Sequence, residues 1–444
     1  MKTFKIYPIL ILAILAWSCS KDMVQPTELT TNTENSLKSA KPKMKIAVMS
    51  DIHYLDPALM TGNPSTFPTG DFQTYLNSDP KLLEFSNPIL RKAIAEIVAS
   101  KPDVLLIPGD LTKDGELINH QAVATMLEQV SAKGIKVFVV PGNHDIANPE
   151  AVHYIGAGSE PEPSISASDF ADIYEKFGYQ DAIYRDSHSL SYVCEPFNNV
   201  WVLGIDDCIY PDLQIPGKAN IAGVIKPETR QWIQDRLAEA TKKNITVLAM
   251  MHHGLVEHYT GQQSLDNGYV TANWEATADA LIDAGLRVIF TGHYHANDIT
   301  SRSKGTNTVF DIETGSLVTP PSPYRIITSD PNYLYVDTKH VTTIDAPIPY
   351  GLPFVSYSNG FLSAHLDGIF TYMLNVKYGV PAPSAVGWAP FFTEAMMAHY
   401  AGDENLTHEV PALPPPLNGA LYSLWSDLPP SDNQFTVDMR KKIR

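Results

Sequence analysis

Apolar runs of strand length alternate with amphipathic stretches of helix length through the first part of the chain. Strand-like runs at 46–49, 104–107 and 135–140 are separated by helix-like stretches at 88–100 and 119–132. Alternation of strand-like runs with helix-like stretches is typical of β-α-β units, in which helices cover a sheet of parallel strands. The sequence therefore predicts an α/β fold.

The same pattern continues further along the chain and then changes. The predicted elements are a hairpin of 189–193 and 200–205, a helix at 227–243, a strand at 245–251, a helix at 275–284, a strand at 287–290 and short β-rich runs up to 344. Beyond this point prolines cluster around two helical stretches, 361–374 and 391–400. We predict a helical, Pro-rich C-terminal extension over 348–444 that packs on the main domain in a structural role.

Composition excludes several classes of protein. The chain has 444 residues, 44% of them hydrophobic and 18% charged, which excludes disorder over most of its length. Its formal net charge of −17 makes general nucleic-acid binding improbable, because a phosphate backbone is bound by basic surfaces. If this acidic protein acts on phosphate compounds, it therefore needs a bound cation to attract the anionic substrate.

The N-terminus is typical of an export signal. Lys2 and Lys5 precede an apolar stretch at 6–17 that is short for a membrane span. The following Ser18-Cys19 resembles the cleavage site of a bacterial lipoprotein, although an ordinary secretory signal is an alternative. We predict a signal peptide at 1–18, a lipidated Cys19 with a flexible tether over 19–43, and an outer-membrane or surface location.

Only two cysteines follow Cys19, namely Cys194 and Cys208. Two residues form neither a disulfide framework nor a zinc knuckle. Both lie in or beside apolar, strand-like runs. They are therefore interpreted as buried free thiols, with a single disulfide as the less favoured alternative.

Five strand-like runs are followed directly by residue types that bind metals. The segments, in chain order, are Asp51-Ile52-His53, Gly109-Asp110, Gly142-Asn143-His144-Asp145, His252-His253 and Gly292-His293-Tyr294-His295. Any one of them alone is weak evidence for a site. In an α/β sheet, however, strand ends of one polarity open onto a common crevice. We therefore expect the five segments to converge.

The residue types favour a transition-metal site over a calcium site or a thiolate cluster. Asp51 with His53, and His293 with His295, stand at i and i+2, so the members of each pair point to the same side of an extended backbone. Asp110 follows a glycine that leaves room for close approach, and a carboxylate can bridge two ions. Imidazoles, carboxylates and one amide oxygen form a mixed nitrogen and oxygen donor set, which suits manganese, iron or zinc.

The order Asp-x-His, Gly-Asp, Gly-Asn-His-Asp, His-His and Gly-His-x-His resembles the calcineurin-like metallophosphoesterase superfamily, which includes purple acid phosphatases and class III cyclic-nucleotide phosphodiesterases. The resemblance covers roughly residues 44–347. It implies a four-layer α/β/β/α sandwich with mixed sheets. It also implies a hydrolase in which a hydroxide bridging two divalent or mixed-valence ions of Mn, Fe or Zn attacks a phosphomonoester or phosphodiester.

The resemblance also implies roles for individual residues. The first ion would be bound by Asp51, His53, Asp110 and His295. The second ion would be bound by Asp110, Asn143, His252 and His293. His144 would act beside the leaving group, with Asp145 orienting it. His252 is preferred to His253 because the family's ligand occupies the first position of that segment.

The substrate is less constrained by the sequence. Two long segments, 54–85 and 255–273, follow ligand segments and are expected to overhang the site. The candidate substrate contacts are Tyr54, His253, His258, Tyr259 and Arg325. For each of them a solvated loop residue is an equally good interpretation. The pattern does not distinguish a monoester, a diester, a cyclic nucleotide, a phospholipid headgroup or a phosphoprotein.

Two other functions stay open beside catalysis. One is a lipoprotein that binds metal or a phosphate ligand on a phosphoesterase scaffold without turnover. The other is a scaffold whose C-terminal helices mediate assembly. The expected partners are a phosphate-ester substrate and a bacterial membrane contacted through the lipid anchor alone, and the oligomeric state is left unpredicted.

Overall fold

The protein is built around two large β-sheets. The computed structural model describes residues 43–62, 69–210, 219–406 and 409–440. Its strands are β1 (Met44–Val48), β2 (Met60–Thr61), β3 (Val104–Pro108), β4 (Lys136–Val140), β5 (Val152–Ile155), β6 (Gly158–Pro161), β7 (Tyr184–Arg185), β8 (Tyr192–Phe197), β9 (Val200–Gly204), β10 (Thr246–Met250), β11 (Val288–Thr291), β12 (Ile299–Lys304), β13 (Asn307–Glu313), β14 (Pro323–Ser329), β15 (Tyr333–His340) and β16 (Gln434–Asp438). Its α-helices are α1 (Gly70–Ser78), α2 (Ser86–Ser100), α3 (Leu117–Ser131), α4 (Ala167–Ile173), α5 (Pro227–Lys243), α6 (Gln262–Leu265), α7 (Trp274–Ala284), α8 (Phe354–Tyr372), α9 (Ala382–Ala401) and α10 (Leu417–Leu424). A π-helical segment, Met373–Lys377, continues α8.

Both large sheets are mixed, as expected. The first has the strand order β16-β15-β14-β1-β3-β4, with β1, β3 and β4 parallel to one another. The second has the order β12-β13-β11-β10-β9-β8-β7, with β9, β10, β11 and β13 parallel. The strands that precede the ligand segments are therefore neighbours, three in the first sheet and two in the second.

Side chains alternate between the two faces of the second sheet. Val200 and Val202 of β9 point into the core shared with the first sheet, whereas Trp201 and Leu203 point to the opposite face. Helices α5 and α7 cover that opposite face. Helices α2 and α3 contribute apolar side chains to the core that contains β1, β3 and β4. The predicted α/β/β/α sandwich is confirmed.

The predicted hairpin before α5 forms with a later start. Its first strand spans Tyr192–Phe197 rather than 189–193, and it pairs antiparallel with β9. Pro196 was expected in the turn, but it lies inside this strand beside an irregularity in the pairing. A proline has no N–H to donate, so it is tolerated in a strand at such a bulge. The position of the bulge could not be predicted from composition.

The two cysteines in the described part of the chain are buried free thiols, which confirms the favoured interpretation. Cys194 Sγ lies 3.0 Å from the carbonyl oxygen of Gly178, and Cys208 Sγ lies 3.4 Å from that of Pro141. Each thiol therefore has a backbone acceptor in the core.

The expected helical extension is present and contains more structure than predicted. Helices α8 and α9 lengthen the two predicted stretches, and α10 is a third helix. These helices share an apolar core with Tyr259 and Tyr294 of the main domain. Strand β16 then pairs antiparallel with β15 at the edge of the first sheet, which a helical periodicity could not reveal. The predicted boundary after residue 347 stays a prediction.

The membrane-related predictions concern the N-terminus. The predicted signal peptide, Cys19 and all but the last residue of the tether lie outside the described residues. Within the described ranges, no helix combines the length and the apolar character needed to cross a bilayer.

Candidate metal centre

The five ligand segments meet where five strands end. Loops that follow β1, β3 and β4 face loops that follow β10 and β11. Backbone hydrogen bonds connect these loops: the N–H of Asp51 donates to the carbonyl of Gly109 at 3.2 Å, and the N–H of Gly292 donates to that of His252 at 3.0 Å. The structure therefore brings together the segments that were expected to converge.

Asp51, His53 and His295 form one group of ligand-type side chains. Asp51 Oδ1 lies 3.5 Å from His295 Nε2 and 3.9 Å from His53 Nε2. The two imidazole Nε2 atoms lie 3.2 Å apart. Asp51 and His53 are buried, and the side chain of His295 is 15% exposed. Donor atoms facing one another at these distances suit a cation between them.

Asp110, Asn143, His252 and His293 form a second group beside the first. His252 Nε2 lies 3.4 Å from Asp110 Oδ2 and 3.0 Å from Asn143 Oδ1. Donor atoms of Asp110, His252 and His293 all lie within 4.8 Å of one another. Asp110 Oδ2 is also 3.5 Å from His53 Nε2 in the first group. Asp110 therefore lies between the groups, where a bridging carboxylate would be required.

Further hydrogen bonds orient the ligand-type side chains. His252 Nδ1 donates to the carbonyl of Pro108 at 3.0 Å, which directs Nε2 at Asp110. Burial lowers the pKa of His252, but Asp110 and Asp51 raise it to about 10, so a cation bound at Nε2 would displace a proton. The N–H of His293 lies 3.1 Å from both carboxylate oxygens of Asp51. These bonds fix the tautomer of the imidazole and the direction of the carboxylate.

Five of the predicted ligands have a left-handed backbone conformation. The φ angles are 49° at Asp51, 41° at His53, 50° at Asp110, 79° at His293 and 67° at His295. A non-glycine residue held in this region costs about 1 to 3 kcal/mol, and such strain persists where the surrounding structure imposes it, often at functional sites. The fold therefore holds these side chains in one arrangement.

Two glycines leave the carboxylates room. A Cβ on Gly292 would overlap Asp51 Oδ2, and a Cβ on Gly142 would overlap Asp110 Oδ1. Neither contact is with the flexible end of a long surface side chain. Close approach of the loops therefore requires glycine at both positions.

We expect Gly292→Ala to lower metal affinity by about tenfold or more, because the added methyl group displaces the carboxylate of Asp51 from the first group. Metal content after dialysis against a range of chelator concentrations measures this effect. Gly360→Ala is the matched control, since a Cβ at this exposed position of α8 meets nothing within 4 Å. Equal metal retention in the two variants would contradict the expectation.

Burial sets the protonation of several ligands. It lowers the pKa of His293 well below the ordinary value, together with the neighbouring His253 and His252, and it lowers the pKa of His295 to about 3. Both imidazoles are therefore neutral, as a metal ligand must be. Burial raises the pKa of Asp51 to about 6, because its charge is poorly compensated there. A bound cation would supply the missing positive charge.

His144 is oriented by Asp114 rather than by the adjacent Asp145, which corrects the prediction. His144 Nδ1 lies 2.7 Å from Asp114 Oδ1. Asp114 also accepts from Asn148 Nδ2 at 3.0 Å and pairs with the buried ammonium group of Lys113. Burial alone would raise the pKa of Asp114, but Lys113 and His144 lower it. Asp114 is therefore an ionised partner that fixes the imidazole.

Asp145 connects two of the loops instead. Its carboxylate accepts hydrogen bonds from the backbone N–H groups of Gly142 at 2.9 Å, Leu111 at 3.1 Å and Thr112 at 3.0 Å. These residues lie in the loops after β4 and β3. Asp145 therefore positions the segments that carry Asn143 and Asp110.

A cavity of about 500 Å³ opens onto the metal centre. We call it the chamber. It is lined on one side by Asp110, Asn143, His144, His293 and His295, and on the other by side chains of α8, α9 and α10. The C-terminal extension therefore forms a wall of the candidate site, a placement that its predicted structural role did not include.

Among the candidate substrate contacts, Tyr259 lines the chamber. Its hydroxyl lies 3.1 Å from that of Tyr294 and donates to Asp266. Arg325 is fully buried away from the chamber, and its guanidinium donates to the carbonyl oxygens of Asp432 and Glu313 at 2.6 and 2.5 Å. The structure therefore corrects the prediction for Arg325, which connects the main domain to the extension.

Three other candidate contacts are also buried outside the chamber lining. The hydroxyl of Tyr54 donates to Asp56 at 3.1 Å. His253 Nδ1 lies 2.9 Å from Asp207 Oδ1, and His258 Nδ1 lies 2.7 Å from Asp298 Oδ1. Their side chains are engaged with neighbouring acids, which corrects the prediction that they contact substrate.

Lys81 is a lining residue that was not among the candidates predicted from the sequence. This residue is 4% exposed, lines the chamber beside His144 and His295, and pairs with Asp79 at 2.9 Å. It lies in the 54–85 segment, which was expected to overhang the site. Nothing in the local pattern distinguishes this lysine from a surface lysine, because its location depends on how the long segment folds.

Comparisons with curated proteins find short matches. A "Probable cyclic nucleotide phosphodiesterase" of Vesicomyosocius okutanii subsp. Calyptogena okutanii (strain HA) is 42% identical over 59 residues, which is 13% of this chain and 24% of that protein. The protein of the same name from Ruthia magnifica subsp. Calyptogena magnifica is 41% identical over 59 residues, again 13% and 24%. The match thus spans about a quarter of the length of these relatives.

Comparisons with solved structures find broader coverage at low identity. A dimetal phosphatase from Danio rerio is 15% identical with a TM-score of 0.46, over 68% of this chain and 97% of that chain. Purple acid phosphatase from yellow lupin (Lupinus luteus) seeds is 10% identical with a TM-score of 0.40, over 68% and 52%. The calcineurin-like phosphoesterase family matches residues 44–297, more than half of the 444 residues. The resemblance of the five ligand segments to this family is therefore confirmed. The chain belongs to the calcineurin-like phosphoesterase family.

Proposed function

We propose that this protein hydrolyses phosphomonoesters or phosphodiesters with two bound transition-metal ions. The observation that carries the proposal is the position of Asp110 Oδ2, 3.5 Å from His53 Nε2 and 3.4 Å from His252 Nε2, between two groups of ligand-type side chains. The donors fit manganese, iron or zinc, because they combine imidazoles with carboxylates and an amide. Membership of the phosphoesterase family supports the reaction class.

Two such ions, when bound, supply Lewis acidity and a hydroxide nucleophile near neutral pH. The chain's own residues bind and orient them, since Asp51, Asp110 and the imidazoles are preorganised by burial and hydrogen bonds. His144 is suited to protonate the leaving oxygen of the ester. Its Nδ1 is occupied by Asp114, so Nε2 is the ring nitrogen available for that transfer.

Lys81 is proposed to bind a phosphoryl oxygen. We expect Lys81→Met to raise KM by about 10- to 100-fold, the effect of losing one charge-assisted hydrogen bond, with a smaller change in kcat. Steady-state kinetics on a phosphodiester measures both constants. Lys92→Met is the control, because Lys92 is half-exposed on α2 and pairs with Glu96. An unchanged KM in Lys81→Met would remove this lysine from the site.

The experiment that tests the proposed function uses purified protein that is stripped of metal and reloaded with manganese, zinc or iron. Hydrolysis of a chromogenic phosphodiester and of a chromogenic monoester is compared with that of Asp110→Asn. Metal-dependent turnover that is lost in the variant would establish the enzyme, and the preferred ester would narrow its substrates. Two bound metals without hydrolysis of either ester would favour the non-catalytic binding role.

We also propose that the chain is exported and anchored through lipid on Cys19. The support is the basic start, the apolar stretch at 6–17 and the position of the cysteine directly after it. We expect Cys19→Ser to move the protein from the membrane fraction to the soluble fraction of a bacterial host, because the lipid is the proposed membrane contact. Fractionation and immunoblotting measure this, and a variant that stays with the membrane would refute the anchor.

A further inference from the structure

The chamber has two unlike walls. His144, His293 and His295 lie on the side of the metal centre. The opposite wall comes from the C-terminal extension and consists mainly of Leu366, Phe370, Leu374, Phe392, Met396 and Leu424. A molecule that reaches the metal centre therefore contacts a continuous apolar surface with the rest of its structure.

The charged side chains that line the chamber come from the main domain. Among the described lining residues, Lys81 is the single Lys or Arg, and the wall from α8 to α10 has no charged side chain. Asp79, Glu150 and Asp266 also line the chamber and would repel a second phosphate group. The site thus fits one phosphoryl group joined to an uncharged, apolar remainder.

We propose that the chamber binds the alkyl or acyl chain of an amphiphilic phosphoester, whose phosphoryl group lies at the metal centre. This inference rests on the proposed function. A volume of about 500 Å³ falls within the range of small-molecule sites. Met373 and Met396 line the chamber with unbranched, adaptable side chains, which suit a flexible chain better than a rigid polar base.

The test compares 4-nitrophenyl phosphodiesters that differ in one group, methyl or hexyl, below the concentration at which the hexyl ester aggregates. Each buried methylene can raise kcat/KM up to about fourfold, so we expect the hexyl ester to exceed the methyl ester by about tenfold or more. Met373→Lys should bring this ratio close to one. Val376→Lys is the matched control, because Val376 is 60% exposed on the same π-helical segment.

The outcomes separate the two proposals. No metal-dependent hydrolysis of either diester or of 4-nitrophenyl phosphate, a monoester, would contradict the proposed function itself. Hydrolysis with a hexyl-to-methyl ratio near one, or a clear preference for a nucleotide diester, would overturn the apolar-chain proposal and leave the function standing. Met396→Lys provides a second variant in the same wall if Met373→Lys does not fold.

A separate cluster of acids and histidines lies where the main domain meets the extension. Asp298 precedes β12, His399 belongs to the last turn of α9, and Glu404 follows that helix. Donor atoms of all three lie within 4.8 Å of one another, and their side chains are 1 to 2% exposed. His399 Nδ1 lies 3.7 Å from Asp298 Oδ2 and pairs with Glu404.

Several buried atoms of this cluster are unsatisfied. Asp298 Oδ2, His399 Nε2, Glu404 Oε2 and the nearby Glu313 Oε2 have no hydrogen-bond partner among the residues that the structure describes. Each is a buried polar group whose isolation is unfavourable. Of these atoms, Asp298 Oδ2 lies 3.7 Å from His399 Nδ1, so this unsatisfied oxygen faces the imidazole of the cluster.

Carboxylates also outnumber cations around the cluster. Glu313 and Asp432 interact electrostatically with Asp298, whereas the basic groups are His258 and the guanidinium of Arg325. That guanidinium makes its hydrogen bonds to hydroxyl and backbone oxygens rather than to the carboxylates. Buried carboxyl groups in excess are stabilised either by protonation or by an additional positive charge.

The structure assigns a third cation site to Asp298, His399 and Glu404, distinct from the two-metal centre. A closed site with imidazole and carboxylate donors suits a divalent transition ion such as zinc or manganese in a structural role. Because its ligands come from both the main domain and the extension, such an ion would stabilise their junction.

Metal content of the purified protein tests this assignment. After reloading with zinc and dialysis, we expect three ions per chain in the wild type and one fewer in both Glu404→Gln and His399→Gln. Glu394→Gln is the control on the exposed side of α9 and should keep three. Two ions in the wild type, or a count unchanged by both cluster variants, would overturn the third site. The thermal midpoint should fall in the cluster variants more than in the control.

Discussion

Asp110→Asn is expected to abolish metal loading and hydrolysis together. One carboxylate oxygen of Asp110 faces His53 Nε2 at 3.5 Å and His252 Nε2 at 3.4 Å, so it is the single donor shared by both groups. The other oxygen accepts the N–H of His144 at 2.9 Å and is needed to hold the next loop. An amide of the same shape removes the negative charge that two adjacent cations require. Loss of several kcal/mol of transition-state stabilisation corresponds to a rate lower by roughly 10³-fold or more.

The measurement combines metal content with kcat on the preferred ester. Asp235→Asn is a control for the chemical change itself, because Asp235 is exposed on α5. We expect the control to keep both the metal content and the rate. An Asp110→Asn protein that binds two ions and retains full activity would contradict the two-metal centre at its most constrained position.

The ligand segments could be predicted because they follow from two general rules. Parallel strands of a sheet end on one edge, and side chains two apart in an extended segment point to one side. The first rule places Asp51 and Asp110 at one edge of the sheet without knowledge of loop conformation. The extended geometry expected for Asp51 and His53 is wrong, because their φ angles of 49° and 41° are left-handed. Each of the five apolar runs predicts a strand, and each strand ends at a ligand segment. The location of the site is therefore predicted independently by each run.

The partner of His144 could not be predicted in the same way. Asp114 is 30 residues away in the chain, in the turn that follows β3, and it meets His144 only when two loops pack together. Asp145 is adjacent in sequence, yet its carboxylate is used by backbone N–H groups of other turns. Loop-to-loop packing has no periodic signature, so adjacency suggested the wrong acid.

The role of the C-terminal extension was underestimated for a related reason. An amphipathic stripe such as the one that contains Leu366 and Phe370 shows that a helix has a buried face, but it does not specify what that face covers. In the structure both side chains line the chamber beside the metal centre. The short strand β16, Gln434–Asp438, alternates polar and apolar residues over five positions, but such a short alternation does not specify a partner, so its pairing with β15 also required the folded chain.

His144→Ala is expected to keep both metal groups intact and to lower kcat by about 10² to 10⁴-fold, the usual contribution of a positioned general acid. His144 Nδ1 is hydrogen-bonded to Asp114 Oδ1. A ring nitrogen of His144 also lies within 4.8 Å of donor atoms of His53 and Asp110, but His144 is expected to act on the leaving group and not to bind an ion. Metal content should therefore equal that of the wild type. Loss of metal together with turnover would place His144 among the structural supports of the centre.

The leaving group distinguishes an acid from a support. 4-Nitrophenolate is a stable anion and leaves without protonation, whereas an alkoxide leaving group requires a proton. We therefore expect His144→Ala to slow hydrolysis of an alkyl ester far more than hydrolysis of the nitrophenyl ester. Asp114→Asn should show the same selectivity with a smaller loss, about 10- to 100-fold, because Asp114 acts by orienting the imidazole. Its thermal midpoint is measured in parallel, since Lys113 loses a buried partner in this variant. Equal losses on both esters would mean that His144 and Asp114 support substrate binding instead of proton transfer.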